Sequence, residues 1–529
     1  MQLFLTFAAY TLFVAVYSWK RLKKEKLTSK EGYFLGGRSL TGIVIAGSML
    51  LTNISTEHLI GMNGSSYKNG FIIIAWEVTS ALALIFTAVY FVPKYLKMGL
   101  TTIPQFLENR FDGFTRSLVA FFLMISFVVT LLPIVLYTGA INLESIFNVS
   151  ELLQVSQSQA MIYTIWAIGL IGSLYAIFGG LKAVAVSDTL NGYGLLIGGL
   201  AIPFLALVNI GDGNVIEGLS KVYQNAPEKF NVIGDKDSVM PFEVLFTGLI
   251  INQIYFWCMN QMIIQRALGA KNLMEAQKGL LFTGLLKIIV PLIIILPGVI
   301  GFYYYGDIYY ENQDIIYPEL IKRVLPASFV GVFAAVVMGA VLSTFNSVLN
   351  SAATIFSIDI FKRHISPEVS DARLVKTGKI TSAFLALFAI CVAPMVGNAP
   401  DGLYQLLQQL NGIFFIPIAS IMLAGFFLPK ISALAAKFAL FIGLTFYIVC
   451  TFILKVNLHF VHVWGIEFVL NITVMILISY YSPQNKPFKI NDLQIVEMKG
   501  WRYTKVFSAF LIFMTLFIYR FKIKSISYL

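Results

Sequence analysis

Charge is scarce in this sequence. Asp, Glu, Lys and Arg together make 12% of its 529 residues, about half the share of an ordinary soluble protein, which excludes a water-exposed globular domain of this size. Only three cysteines occur: Cys258, Cys391 and Cys450 lie in apolar stretches with no paired spacing, so neither a disulfide framework nor a zinc site is indicated. Of the four histidines, His459 and His462 stand three apart at the mouth of an apolar run without a carboxylate or further ligand, and they read as interfacial residues rather than metal ligands. There is no GK[ST] loop and no HExxH helix. Nucleotide hydrolysis and zinc proteolysis therefore lack support, which disfavours a primary pump and an enzyme.

Apolar side chains are abundant instead. They make 58% of the chain, with a mean hydropathy of +0.79, which places the chain among all-α integral membrane proteins. Apolar stretches of about 20 residues recur about fourteen times, centred near residues 10, 54, 83, 128, 168, 198, 254, 290, 342, 385, 415, 441, 470 and 512. The first has Lys20, Arg21, Lys23, Lys24 and Lys26 after it and no basic segment before it, so it reads as an uncleaved span with its N-terminus outside. Of the 38 Lys and Arg, roughly 27 fall in alternate loops assigned inside and roughly 10 outside. Both termini are therefore expected outside a multi-pass protein of the cell membrane, the inner membrane if the cell is Gram-negative. That bias also accounts for the net charge of +11, so nucleic acid is not expected as a partner and the lipid bilayer is.

Polar residues inside these spans carry the functional signal. Thr52, Asn53, Ser55, Thr56, Glu57 and His58 interrupt the second span near its middle. Polar and ionisable groups at that depth are expensive and mark a bundle interior or a water-filled path, although Ser, Thr and Asn also serve as plain helix contacts. The run from Asn252 to Gln261 interrupts the seventh span in the same way. Two broken spans five apart suit an inverted-repeat transporter with its solute between them. The core would then be residues 40–427, with 1–39 as an extra span and inside loop and 428–529 as three further spans of one domain. In the ninth span, Ser343, Ser347, Asn350 or Ser351, and Thr354 share one helical face. Those hydroxyls either bond back to carbonyls of their own helix or present oxygens to a hard monovalent cation beside the broken second span. The connection 209–240 reads as a lid or structured outer loop.

The stretches 53–62, Trp76-Glu77 with Ser80, 179–183 with Asp188, Trp257 with Asn260-Gln261 and Gln265-Arg266, Lys287, Ser343-Thr344 with 349–351, and Gln405 with Gln408 resemble the sodium/solute symporter family, in the branch of the bacterial sodium/galactose symporter and its uncharacterised bacterial relatives. The resemblance implies the leucine-transporter-like five-plus-five inverted repeat. It further implies a sodium site from carbonyls of Leu51, Ile54 and Ala340 with the hydroxyls of Ser343 and Thr344, and a sodium exit path past Asp188. The solute site would comprise Asn53, His58, Glu77, Ser80, Gln253, Trp257, Lys287 and Gln408, gated by Met62, Trp76, Phe256 and Tyr404. Such a set offers donors and acceptors in near charge balance beside aromatic faces, as a neutral hexose requires. Sodium would be the coupling ion, with no other cofactor. The alternatives are sodium symport of an amino acid, carboxylate or vitamin, proton coupling through His58 or Glu57, and a sodium-gated channel or sensor. His58, Gln253 and Phe256 depart from the galactose branch, where glutamine, asparagine and tyrosine stand.

Overall fold

In hydrocarbon every backbone N–H and C=O needs an internal partner, so a chain this apolar spans as helices. The computed structural model describes residues 2–22, 29–397, 403–484 and 488–520. Among these residues the chain is helical throughout, apart from loops and the isolated bridges Leu40 to Ala270 and Gly234 to Pro241. Lys23, Lys24 and Lys26 of the expected inside loop, and the two chain ends at Met1 and 521–529, lie outside the described residues.

In chain order the main helices are α1 (Gln2–Leu22), α2 (Gly42–Asn53), α3 (57–69), α4 (75–97), α5 (Gly113–Phe147), α6 (Gln157–Ile177), α7 (Gly180–Ile210), α8 (Val215–Asn225), α9 (Gly248–Met259), α10 (Gln261–Leu268), α11 (Leu273–Ile289) and α12 (Pro291–Tyr305). They are followed by α13 (Ala327–Ile365), α14 (Asp371–Val396), α15 (Leu403–Phe427), α16 (Ala433–Ile453), α17 (Phe460–Tyr481) and α18 (Thr504–Arg520). Nine helices among the described residues are long and apolar enough to cross a membrane, or ten with α11 and α12 counted as one bent span. The remaining expected spans fall on shorter or interrupted helices, so length and composition alone do not return about fourteen.

Two long helical runs divide at glycines that no other residue could replace without strain. Residues 57–97 would reach about 60 Å as one helix, twice the hydrocarbon thickness, and they turn at Gly70, φ 73°. The run Gln157–Ile210 likewise divides into α6 and α7 at Gly180, φ 59° and ψ −174°.

The second and seventh spans are broken where the polar runs stand. α2 ends at Ile54, φ −89° and ψ 85°, and the chain resumes through a π-helical turn, Glu57–Met62. In the seventh span a π-helical turn, Tyr255–Met259, ends at Asn260, φ −68° and ψ 120°. Asn260 then caps α10 by accepting from the Met262 N–H at 3.1 Å. Both breaks lie in the buried middle of the bundle, where α2 packs on α7, α11 and α13. The connection 209–240 is structured: α8 is followed by a turn at Pro227–Phe230. Lys229 from that turn donates to the carbonyls of Tyr67 at 2.9 Å and Lys68 at 2.8 Å, capping the end of α3.

Candidate functional site

A helix break frees carbonyls, and what becomes of them differs between the two breaks. At the seventh span they are taken up by neighbours. Thr87 Oγ1 donates to Trp257 O at 3.2 Å and Tyr95 OH to Cys258 O at 3.0 Å, both from α4. At the second span, Thr344 Oγ1 of α13 donates to Thr52 O at 3.0 Å, while no hydrogen bond among the described residues reaches the carbonyls of Leu51 or Ile54. Ser343 Oγ is buried and faces the Asp188 carboxylate without a close hydrogen bond. The two readings of the α13 hydroxyls therefore separate by residue. Ser347 and Thr354 bond back to Ser343 O and Asn350 O, both at 2.6 Å, whereas Ser343 and Thr344 do not. Unpaired hard oxygens gathered at a break in a buried helix suit a small cation, since otherwise each would lose its hydration for nothing. Ala340 lies in an uninterrupted turn of α13, where a carbonyl bonded once within the helix keeps a second lone pair.

Beside this position lies a cavity between α2, α3, α4, α9, α11 and α15. It is lined by Asn53, His58, Glu77, Ser80, Gln253, Trp257, Lys287 and Gln408, together with Trp76, Phe256 and Tyr404. At its centre Lys287 Nζ donates to Glu77 Oε2 and, at 2.6 Å, to Asn53 Oδ1. Both charged side chains are 1% exposed, so each is the condition for burying the other. Gln253 organises the wall: its Oε1 accepts from Ser80 Oγ at 3.0 Å and Trp257 Nε1 at 3.2 Å, and its Nε2 donates to Trp76 O at 2.8 Å. The ammonium of Lys287 lies 5.6 Å from the Trp257 ring. The cavity holds about 40 Å³, room for about three waters and not for a hexose.

The four residues expected to form a gate are divided between two cavities. Tyr404 packs edge-on against His58 at 5.3 Å and Trp76 at 5.9 Å. Met62 is absent from the main cavity and lines a smaller one above it with Trp76 and Tyr404, as a cap would. Phe256 lines the main cavity, whereas its neighbour Tyr255 is turned away against Phe415, ring centroids 4.2 Å apart. The buried Tyr255 hydroxyl has no partner, so it does not stand in for the hydroxyl missing from Phe256.

Two broken helices thus hold a polar cavity centred on the Lys287–Glu77 pair, with Glu57 and His58 also on its wall, beside a cluster of free oxygens. A model of the sodium:solute symporter family matches residues 33–443. The chain belongs to the sodium:solute symporter family. Among its relatives is the uncharacterised symporter YidK of Escherichia coli K12, 45% identical over 97% of this chain and 90% of that protein. The sodium/glucose cotransporter of Vibrio parahaemolyticus is 35% identical over 82% of each chain. The bovine sodium/myo-inositol cotransporter is 29% identical over 79% of this chain and 62% of its own length. Among solved structures, a sodium-coupled sialic acid symporter in a substrate-bound outward-open state superposes with a TM-score of 0.79 at 19% identity, covering 93% of this chain and 99% of that one. That likeness shows the leucine-transporter fold. Members of the family are transporters and not enzymes, and this chain is a multi-pass membrane protein of sodium-coupled symport.

Three features of the symporter's site were missed from sequence. Asn411 lines the cavity one turn beyond Gln408, and Asn252 lies beside Gln253; a polar residue three positions from another in an apolar helix was the available signal. Both have a buried carbonyl oxygen without a partner. The third is the partner of Asp188, which is not free. Its Oδ2 accepts from Ser48 Oγ at 2.6 Å and faces Arg266 Nη2 at 3.8 Å, with both charges fully buried. Arg266 also reaches Ser347 Oγ, which lies 3.2 Å from Thr52 Oγ1. No local pattern pairs residues so distant in the chain and on different helices.

Proposed function

We propose that this symporter imports a neutral hexose together with sodium across the cell membrane. The observation that carries the reading is the Lys287–Glu77 pair bonded to Asn53 at the centre of the cavity. A carboxylate that accepts, an ammonium that donates and an amide that does both can exchange their mutual bonds for the hydroxyls of a pyranose, whose C–H face would lie on Trp257. With Glu57 and Glu77 against Lys287 on its wall, the cavity disfavours an anionic solute, which calls for a net positive site, and no arginine is among the described residues that line it. The sodium/glucose and sodium/myo-inositol names of two relatives agree with a neutral polyol.

Sodium would bind at the Leu51 and Ile54 carbonyls, Ala340, Ser343 and Thr344, joining the broken α2 to α13. Because Asn53 belongs to the same break, ordering it for sodium also positions a solute ligand, which couples the two sites. Each sodium entering down the membrane potential contributes about 2.3 kcal/mol per 100 mV. On release, sodium would pass Asp188 once Arg266 loosens its hold. Opening the cavity to hexose size requires separation of the Lys287–Glu77 pair and movement of the Trp76–Tyr404 cap. The positive loops would face the cytoplasm, with both termini outside.

The test is uptake of labelled galactose, glucose and myo-inositol into proteoliposomes under an inward sodium gradient, with potassium or choline as control. Accumulation of a hexose above equilibrium in sodium alone is expected. Accumulation of none of these by folded, sodium-binding protein would reject the hexose reading and leave the fold intact.

A further inference from the structure

The last three spans hold a second polar centre that this transport cycle does not use. Glu467 of α17 is fully buried, and its carboxyl faces the neutral amide of Asn471 without a close hydrogen bond. One turn on, and on the same face, Asn471 is also fully buried. Its Nδ2 donates to Ser420 Oγ on α15 at 3.3 Å, but its Oδ1 has no partner. Thr451 Oγ1 on α16 is buried and faces the Tyr447 hydroxyl. Trp464 Nε1, one turn before Glu467, likewise faces the Tyr447 hydroxyl, which leaves a neutral amide as the polar neighbour of the carboxyl.

The surrounding helices are recessed to make this room. A Cβ on Gly443 of α16 would lie 2.5 Å from Asn471 Nδ2 and 2.6 Å from its Oδ1, and one on Gly412 of α15 would lie 2.0 Å from Trp464 Nε1. Around Glu467 and Asn471, α16 presents Tyr447 and Cys450, with Thr451 against Tyr447, and α15 presents Ser420. α9 presents Gly248 against Val461 and Trp464. None of these is basic. A carboxylate buried in such surroundings must be joined by a positive charge, and no side chain among the described residues supplies it.

We propose that Glu467, Asn471 and Thr451 bind one univalent cation, a sodium ion or a proton, at a site separate from the Ser343–Thr344 position. The site lies directly behind the solute cavity. Trp464 packs edge-on against Trp76 at 6.2 Å, and Tyr447 OH donates at 3.0 Å to the carbonyl of Gln409, next to Gln408. Occupancy is therefore transmitted to the outer cap and to α15. The inference does not depend on which solute is carried.

The experiment uses full-length protein in lipid nanodiscs without solute. Radioactive sodium bound per protein is counted, and infrared difference spectra across a pH series report a neutral carboxylic acid. If the cation is sodium, Glu467→Gln binds one ion fewer than wild type, while Ser343→Ala with Thr344→Ala retains that ion. If it is a proton, the sodium count is unchanged, and the carboxylic acid band of the wild type disappears in Glu467→Gln and shifts in Asn471→Ala. An unchanged sodium count together with an unchanged band in Glu467→Gln overturns the proposal. Should that variant not fold, Asn471→Ala decides in the same way: loss of an ion or a shifted band supports the site, and neither overturns it.

Discussion

Replacing Lys287 with methionine separates what holds the cavity together from what binds solute. The side chain is unbranched like lysine, but the Glu77 carboxylate, 1% exposed, is left without its counter-charge. Breaking a buried pair from one side costs about 3–5 kcal/mol of folding stability. His58 Nε2 stands 3.9 Å from Glu77 Oε1, beyond hydrogen-bond distance, and does not replace the ammonium. Adding Glu77→Gln removes the stranded charge, so the double variant should recover most of the lost stability. Solute binding should not recover, because both forms lack the ammonium. A hydrogen bond to a charged group contributes about 1.5–3 kcal/mol, a roughly ten- to 150-fold rise in KM. Thermal denaturation in detergent measures the first effect and proteoliposome uptake the second, with sodium activation as the control expected to change least. The reasoning is refuted if Lys287→Met melts with wild type, if the double variant is no more stable than Lys287→Met, or if the double variant transports with wild-type KM.

Three further outcomes follow from the geometry. Ser343→Ala with Thr344→Ala should abolish sodium-activated uptake while the protein still reaches the membrane; unchanged sodium activation would remove this assignment. Gly61→Ala would place a Cβ 2.8 Å from Tyr404 Cβ and 3.1 Å from its backbone nitrogen, a clash of about 1–3 kcal/mol that displaces the cap, so uptake should fall several-fold, and wild-type uptake would show that the cap does not matter. In the connection between α4 and α5, Glu108 accepts from Arg116 at 2.5 Å and from Arg363. Burial alone would raise its carboxyl, but the two guanidinium groups outweigh burial and hold it below the ordinary range. That pairing stabilises the fold above about pH 4.3 and is lost as pH falls through the lowered value. Glu108→Gln should therefore melt below wild type at pH 7 and converge with it once the pH is low enough to protonate Glu108 in the folded protein; parallel curves at all pH values would contradict this.

Much of the site was legible because bilayer depth makes polarity conspicuous. Asn53 to His58 and Asn252 to Gln261 stand out in apolar runs, and both proved to be helix breaks. Lys287 was visible as a lone charge in a span. The two breaks look equivalent in sequence, yet only the structure shows that Thr87 and Tyr95 close one while Leu51 and Ile54 stay open at the other. Which α13 hydroxyls turn inward was likewise undecidable from a face shared by Ser343, Ser347 and Thr354, since a hydroxyl bonds either its own helix or a neighbour.

By itself, the sequence determined an all-helical membrane chain, its approximate spans, the two interruptions and the residue types available to hold cation and solute. Those properties are local: they follow from hydropathy, helical period and the cost of polar groups in hydrocarbon. Tertiary structure alone decided the pairings. Glu77 meets Lys287 across 210 positions and Asp188 meets Arg266, and Glu467 remains without a counter-charge among the described residues. Those partners lie on different helices, and their meeting depends on helix packing, which no stretch of sequence specifies alone.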